Sequence, residues 1–365
     1  MMAVRSHRSR GDEGPRVTPA IVHDRQAVVV RLGLRENAAQ FALLVVVNAF
    51  VGAMVGMERS ILPSIAEQEF HLAARTAVLS FILVFGLSKA LTNYVAGRFA
   101  DHVGRKQVLV AGWLIAVPVP FMLMWGPSWN WILAANVFLG ISQGFTWSTT
   151  VIMKIDLVGA TRRGLAMGLN EFAGYMAVAG SALATGWIAA RTGLRPDPFY
   201  PGIVFVALGL GLSVALVRET SSHVALESTL TPSSSNRAAP SDVFWRTTWT
   251  DRNLSTISQA GLVNNLNDGM AWGLFPLFFA AANQGLDRIG TLAAIYPATW
   301  GLTQLVTGAL SDRVGRKWLI AGGMWTQAVA IGVVILEHLC GVRSRGSAAW
   351  DWDRDGLSDL ARRDR

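Results

Sequence analysis

A chain of 365 residues could hold two soluble domains, but only 15% of it is charged and 52% is apolar, and the apolar residues come in long blocks. Residues 39–57 run 19 positions without a charge and residues 107–133 run 27, near or beyond the roughly 20 that cross a bilayer core as a helix. A set of buried helices in a soluble protein is excluded, because such helices carry charge along one face, and nucleic-acid binding by the net +8 is excluded by where that charge sits.

Residues 1–37 are polar and Arg-rich and read as a disordered basic arm; no cleavable leader precedes the first apolar run. Helices are expected near 38–60, 76–98, 107–126, 130–153, 164–190, 199–217, 255–282, 289–309 and 317–336. The connections alternate in basicity. One side holds seven Arg before Ala38, then Arg98, Arg105, Lys106, Lys154, Arg162, Arg163, Arg218, Arg313, Arg316 and Lys317. The other holds little more than Arg75, Arg191, Arg195 and Arg288. Positive charge marks the cytoplasmic face, so the N-terminus is expected in the cytoplasm and the chain in the cell (inner) membrane, with the lipid bilayer as its surroundings. Six helices (38–218) precede a Ser-, Thr- and Pro-rich stretch that reads as a cytoplasmic linker (219–254), and three helices (255–336) follow. Trp125, Trp129, Trp131, Trp187, Trp245 and Trp249 fall near helix ends, where an indole favours the interface.

No catalytic or cofactor signature survives inspection. Gly209-Leu210-Gly211 lies inside an apolar helix with no strand before it, and no Walker phosphate loop occurs. The six histidines are scattered without ligand spacing, and the single Cys340 makes neither a disulfide nor a thiolate metal site. Asp351-x-Asp353-x-Asp355-Gly356 imitates the start of a calcium loop, but Arg362 stands where the bidentate Glu belongs. The expectation is no enzyme, no cofactor and no metal.

One charged stretch occurs twice: GRFADHVGRK at 97–106 and GALSDRVGRK at 308–317. Aligned on it, residues 91–112 and 302–323 agree at ten of 22 positions, and Gly56-Met57 and Pro63 fall opposite Gly269-Met270 and Pro276 after a two-residue slip. The two halves are a duplication, the arrangement of parallel-repeat carriers. Gly97 is expected to end the second helix, with Asp101 bonding Arg105 and the free N–H groups that open the third.

The repeated stretch resembles the signature loop of the major facilitator superfamily, G-x-x-x-D-R/K-x-G-R-R/K, and the resemblance extends over residues 38–336. It implies an all-α membrane fold, here a six-helix N-terminal bundle with a partial, three-helix second bundle. It also implies secondary transport of a small solute, with protons as a candidate coupling ion, by rocking of the bundles. The implied gate residues are Gly97, Asp101, Gly104, Arg105 and Lys106, and Gly308, Asp312, Gly315, Arg316 and Lys317. By the same resemblance the first copy packs towards an eleventh helix and the second towards the fifth. His102 replaces the usual basic residue. Asn136 stands where the family's fourth helix carries the Arg of R-x-x-x-G, and the fifth helix lacks a Gly-Pro signature, so coupling by that route is not expected. Gly174, Gly180 and Gly186 read instead as close-packing positions.

Ionisable groups at membrane depth are functional candidates. Lys89, Glu171 and Asp268 are the expected members of a substrate or proton pathway, with Lys89 able to pair with an anionic substrate or with a carboxylate such as Glu171. Asn48, Gln143, Trp147 and Asn264 are expected to line the cavity, since the resemblance places helices one, four, seven and ten around it. Glu58-Arg59, late in the first helix, is a further ionisable candidate, with the outer headgroup level as its alternative place. Beyond residue 336 the polar tail (337–365) departs from the pattern. One permitted choice of codons from Ala349, read one base downstream, spells GTGTAMVYPTWLAAI, so a frameshift that removed helices ten to twelve is expected. Two other functions stay open: a transport-inactive truncated product, and a membrane sensor or interaction protein on the same scaffold.

Overall fold

The computed structural model describes residues 30–72, 78–159, 162–230 and 240–336. Most of the N-terminal arm, the middle of the linker, and the whole tail with Cys340 and its Asp-rich stretch lie outside the described residues. Every regular element among the described residues is helical. The first half comprises α1 (Ala38–Arg59), α2 (Leu62–Gln68), α3 (Ser80–Val103), α4 (Arg105–Ala116), α5 (Pro118–Trp125), α6 (Trp129–Val158), α7 (Arg163–Thr192) and α8 (Tyr200–Ala215). Two pairs count as one span each: α1 with α2, and α4 with α5, where Pro118 removes a donor and starts a new helix. The linker is not irregular throughout. It holds α9 (Ser221–Leu230), α10 (Pro240–Trp245) and a π-helical turn, Arg246–Thr250. The second half is α11 (Arg252–Ala281), α12 (Leu286–Val314) and α13 (Arg316–Leu336). Asp251 caps α11 by accepting from Asn253 and Leu254 N–H at 3.0 Å each, satisfying two orphan donors.

Six of the described spans are long and apolar enough to cross a membrane. The helices α6, α11 and α12 are long enough but more polar, because they carry Asn, Asp, Gln, Ser and Thr side chains, largely buried in α6 and largely exposed in α11 and α12.

Both motifs break the chain at the same place. Gly104 and Gly315 have φ of +109° and +88°, a region that side chains other than glycine enter only with strain. This corrects the expected boundary: α3 continues through Gly97 to Val103, and Gly104 turns the chain into α4.

Apolar burial gains little against lipid, so helix association depends on close approach and on polar ties. The main core of Leu44, Met54, Met57, Ile61, Phe81, Leu109 and Trp113 joins α1, α3 and α4. Glycines set the seams. A Cβ on Gly52 would sit 2.1 Å from Gly174 O, and one on Gly56 would sit 2.2 Å from Val178 O, which holds α1 against α7. The most extensive helix pair among the described residues is α7 with α12. There Gly164 and Gly168 face Gly308, and Gly186 faces Gly290, with Cβ-to-backbone separations near or below 3 Å. Gly174 and Gly186 thus pack closely, whereas a Cβ on Gly180 would meet nothing within 4 Å.

Exposed rings of Trp125, Trp131, Trp187, Trp245 and Trp249 accord with interface positions. Trp129 differs: it packs edge-on against Phe70 and Phe81 and donates to Ser80 Oγ at 3.0 Å.

Candidate functional site

Two polar constellations stand out, one on the motif face and one at depth. On the motif face, Arg105 starts α4 directly after the Gly104 turn and is buried. Its guanidinium meets Asp101 Oδ1 at 2.8 Å and Asp156 Oδ2, from α6, at 3.1 Å, and donates to Ala100 O at 3.0 Å. Thr220 Oγ1 donates to the same Asp156 oxygen at 2.7 Å. The N–H groups that open α4 do not go to Asp101, which is held one turn back by the guanidinium. They go to Glu219, which accepts from Arg105 N at 3.2 Å and Lys106 N at 2.9 Å. Burial alone would raise the Glu219 carboxyl, but the donors from Lys106, Ser221, Arg105 and Thr220 outweigh it and hold it below the usual glutamate value. Lys106 Nζ donates to Val214 O at 2.8 Å. Helix α9 extends the clasp: Glu227 pairs with Arg163 at 2.6 Å, and His223 lies 3.3 Å from Asn37.

The second copy makes a different contact. Asp312 reaches across to the first turn of α7, where Gly164 N donates to Oδ1 at 2.9 Å and Leu165 N donates to Oδ2 at 3.0 Å. A carboxylate over unpaired helix-opening N–H groups is favourable both as a hydrogen bond and as a charge. Gly308 is pressed against Gly164 and Gly168, whereas a Cβ on Gly97 would meet nothing within 4 Å. Arg316 and Lys317 are exposed, with Lys317 over Trp318.

At depth, side chains from five helices converge. Glu171 of α7 accepts from Asn170 Nδ2 at 2.8 Å and from Trp147 Nε1 of α6 at 3.3 Å. Lys89 of α3 lies over the Trp147 ring at 5.2 Å and the Phe85 ring at 5.7 Å. It makes no direct ion pair with Glu171 among the described residues, although Glu171 and Asp268 both act on it through space. Asp268 of α11 is buried and accepts the Tyr296 hydroxyl of α12. A ring series links the halves: Trp147 edge-on to Tyr175 at 5.7 Å, and Tyr175 stacked on Trp300 at 5.0 Å and near Trp272 at 6.4 Å.

Asn48 and Gln143 have no exposed surface to offer a cavity. Asn48 donates to Asn170 O and accepts from Thr150, both at 2.9 Å, and Gln143 donates to Val51 O at 2.8 Å. Asn264 is half-buried and accepts from Gln327 at 2.9 Å, which ties α11 to α13. Lys154, placed in a loop from sequence, is instead buried in α6 and bonded to Asn170. Glu58 and Arg59 do not face headgroups. They are 0% and 2% exposed, with Nη2 and Oε1 3.5 Å apart. The guanidinium stacks over Phe85 at 4.4 Å, Trp272 at 5.2 Å and Phe81 at 5.6 Å.

A helical chain with membrane-length spans that repeats one glycine-broken charge motif in its two halves has the arrangement of a parallel-repeat membrane fold. A family model described as Major Facilitator Superfamily matches residues 43–263, more than half of the chain, and the chain belongs to that family. It is 27% identical over 178 residues to "Multidrug resistance protein 1" of Bacillus subtilis (strain 168), covering 47% of this chain and 42% of the relative. It is 30% identical over 92 residues to "Proton-coupled antiporter flippase LtaA" of Staphylococcus saprophyticus, covering 25% and 22%. The chain thus spans less than half the length of these curated relatives.

Proposed function

We propose that the chain moves a small solute across the cell membrane by alternating exposure of the deep charged cluster, with the motif face towards the cytoplasm. The observation that carries this reading is a run of contacts across the two halves: Lys89 lies over the Trp147 ring, whose N–H goes to Glu171, and Tyr175, Trp300 and Tyr296 lead from Trp147 to Asp268. A cluster contributed by both halves changes shape whenever the halves rock, which couples binding to gating. Lys89, Glu171 and Asp268, with Trp147, contact solute or a coupled proton; the names of the two relatives, one of them a proton-coupled antiporter, support this class. Asn48, Gln143 and Asn264 position helices around them. Asp101, Gly104, Arg105 and Lys106 form a clasp within the first half, with Gly97 one turn ahead of Asp101 in α3. Gly308, Asp312 and Gly315 latch the second half onto α7, while Arg316 and Lys317 sit at the headgroup level.

The test is reconstitution into proteoliposomes with a trapped pH dye and an imposed proton gradient, followed by a panel of organic ions and neutral solutes. At least one solute should change lumenal pH in the wild type, and Lys89→Gln, Glu171→Gln and Asp268→Asn should each abolish the response. No response to any solute, or variants that match the wild type, sinks the proposal. A second reading, a scaffold that binds without flux, is favoured by the apolar stretch of α13, none of which is buried. It predicts solute binding in detergent with no pH change in liposomes.

A further inference from the structure

Lys154 is the buried cation that the proposed site leaves unused. It lies in α6 two positions before Asp156 and is 1% exposed. It makes no ion pair among the described residues, since Asp156 is taken by Arg105 and Thr220. With it, three interior cations (Arg59, Lys89 and Lys154) stand against three carboxylates (Glu58, Glu171 and Asp268). A buried ammonium is costly unless its charge is answered nearby, so its surroundings show what it answers to.

The Lys154 Nζ donates to Asn170 Oδ1 at 2.5 Å, its one hydrogen bond among the described residues. Asn170 Nδ2 in turn donates to Glu171 Oε1 at 2.8 Å. An ammonium only donates and a carboxylate only accepts, so the two together fix which way the amide points. Asn170 is 0% exposed and is held at a third point, where its backbone O accepts from Asn48, whose own Oδ1 accepts from Thr150. The two donors to Glu171, Asn170 and Trp147, both fall on Oε1. Oε2 has no hydrogen bond among the described residues and is the oxygen left for a proton or a solute.

We infer that Lys154 is a positioning residue that, acting through the Asn170 amide, keeps the Glu171 carboxylate charged and its Oε1 fixed on Trp147. Its part in transport rests on the proposed function, whereas its hold on Glu171 needs no flux. An amide polarised by a cation at its oxygen is a stronger donor at its nitrogen, and little water intervenes to screen the charge. Lys89 of α3, Asp268 of α11 and Tyr175 of α7 also face Glu171. From α1 comes the neutral Asn48, and from α12 come Trp300, stacked on Tyr175, and Tyr296, bonded to Asp268.

The test is labelling of the purified, detergent-solubilised chain with dicyclohexylcarbodiimide over a pH series, with the Glu171 peptide read by mass spectrometry. The reagent adds to a carboxyl group only in its protonated form. Lys154→Gln keeps a donor for Asn170 but not the charge, so labelling should persist to higher pH by about one unit. Lys154→Arg should restore the wild-type midpoint, and the Lys154→Gln shift should shrink in an Asn170→Ala background. Lys154→Met, which removes the charge and with it the desolvation cost, is the neutral variant if Lys154→Gln does not fold. A mere tie between α6 and α7 predicts a lower melting temperature with an unmoved midpoint. An unmoved midpoint in the neutral variant, no restoration by Lys154→Arg, or an equal shift with and without Asn170 overturns the inference. A shifted midpoint without liposome flux of any solute sinks the transport reading alone, and flux with an unmoved midpoint sinks this one alone.

Discussion

Asp312→Asn isolates the contact that fastens the second half to the first. The native carboxylate takes Gly164 N–H at 2.9 Å and Leu165 N–H at 3.0 Å, one on each oxygen. The amide keeps one acceptor and turns a donor towards the other N–H. A hydrogen bond to a charged group is worth about 1.5–3 kcal/mol. The negative charge at a helix start adds roughly 0.3–1 kcal/mol. Asp312 is exposed, and solvent screening reduces both figures. The net loss is then about 1–2 kcal/mol, which is roughly 5- to 30-fold in the opening equilibrium of that contact. Gly164 and Leu165 lie in the first turn of α7 and have no intrahelical acceptor, so amide hydrogen exchange there reports the contact directly. Exchange of the peptide covering them should quicken by that factor in Asp312→Asn and stay unchanged in Asp101→Asn. Unchanged exchange in Asp312→Asn, or the same acceleration in both variants, would refute the latch.

The clasp and the seam give further expectations. Glu219→Gln should lower the thermal midpoint in detergent at neutral pH. Because the folded carboxyl is held low, its stabilisation is present above the ordinary glutamate value and fades as pH falls through the folded one. The gap between wild type and variant should therefore close in acid. His223 is held below its usual value of 6.5 by burial. Its stabilisation is present above that value and lost as pH falls through the lower folded one, so the wild type should lose more stability than His223→Gln between pH 7 and pH 5. Gly308→Ala drives a Cβ to 2.7 Å from Gly164 O and 2.8 Å from Gly168 Cα, and overpacking against backbone costs about 1–3 kcal/mol. Gly97→Ala meets nothing, and by helix propensity should be neutral or stabilising by up to about 1 kcal/mol. Equal midpoints for the two alanine variants would contradict the seam.

The repeat was legible because identical backbone demands leave identical residues: a positive φ fixes Gly104 and Gly315, and the pattern around them is kept with it. The membrane helices were legible from charge-free length. The partners of the motif were not. Glu219 is 113 positions from Lys106 and belongs to no local pattern, so only the fold brings its carboxylate over the start of α4. Glu58-Arg59 stayed open between two places for a related reason. Adjacent charges near a helix end usually mark the interface, but α3 and α11 close over that end of α1 and bury both. Gly180 shows the limit of counting glycines: spacing alone does not separate a glycine that touches a neighbouring backbone from one that does not.

The seam between α7 and α12 has a mechanical consequence. Interlocking side chains act as teeth, so helices packed through them change register in steps. Gly164, Gly168, Gly186, Gly290 and Gly308 put bare backbone against bare backbone at both ends of this pair. Those bare ends behave as journal bearings that keep the axes close with little resistance to rolling, while the stacked Tyr175 and Trp300 between them interlock. The tilt of one half against the other is then limited by the Asp312 contact and by the Tyr175–Trp300 stack rather than by the glycine ends of the pair.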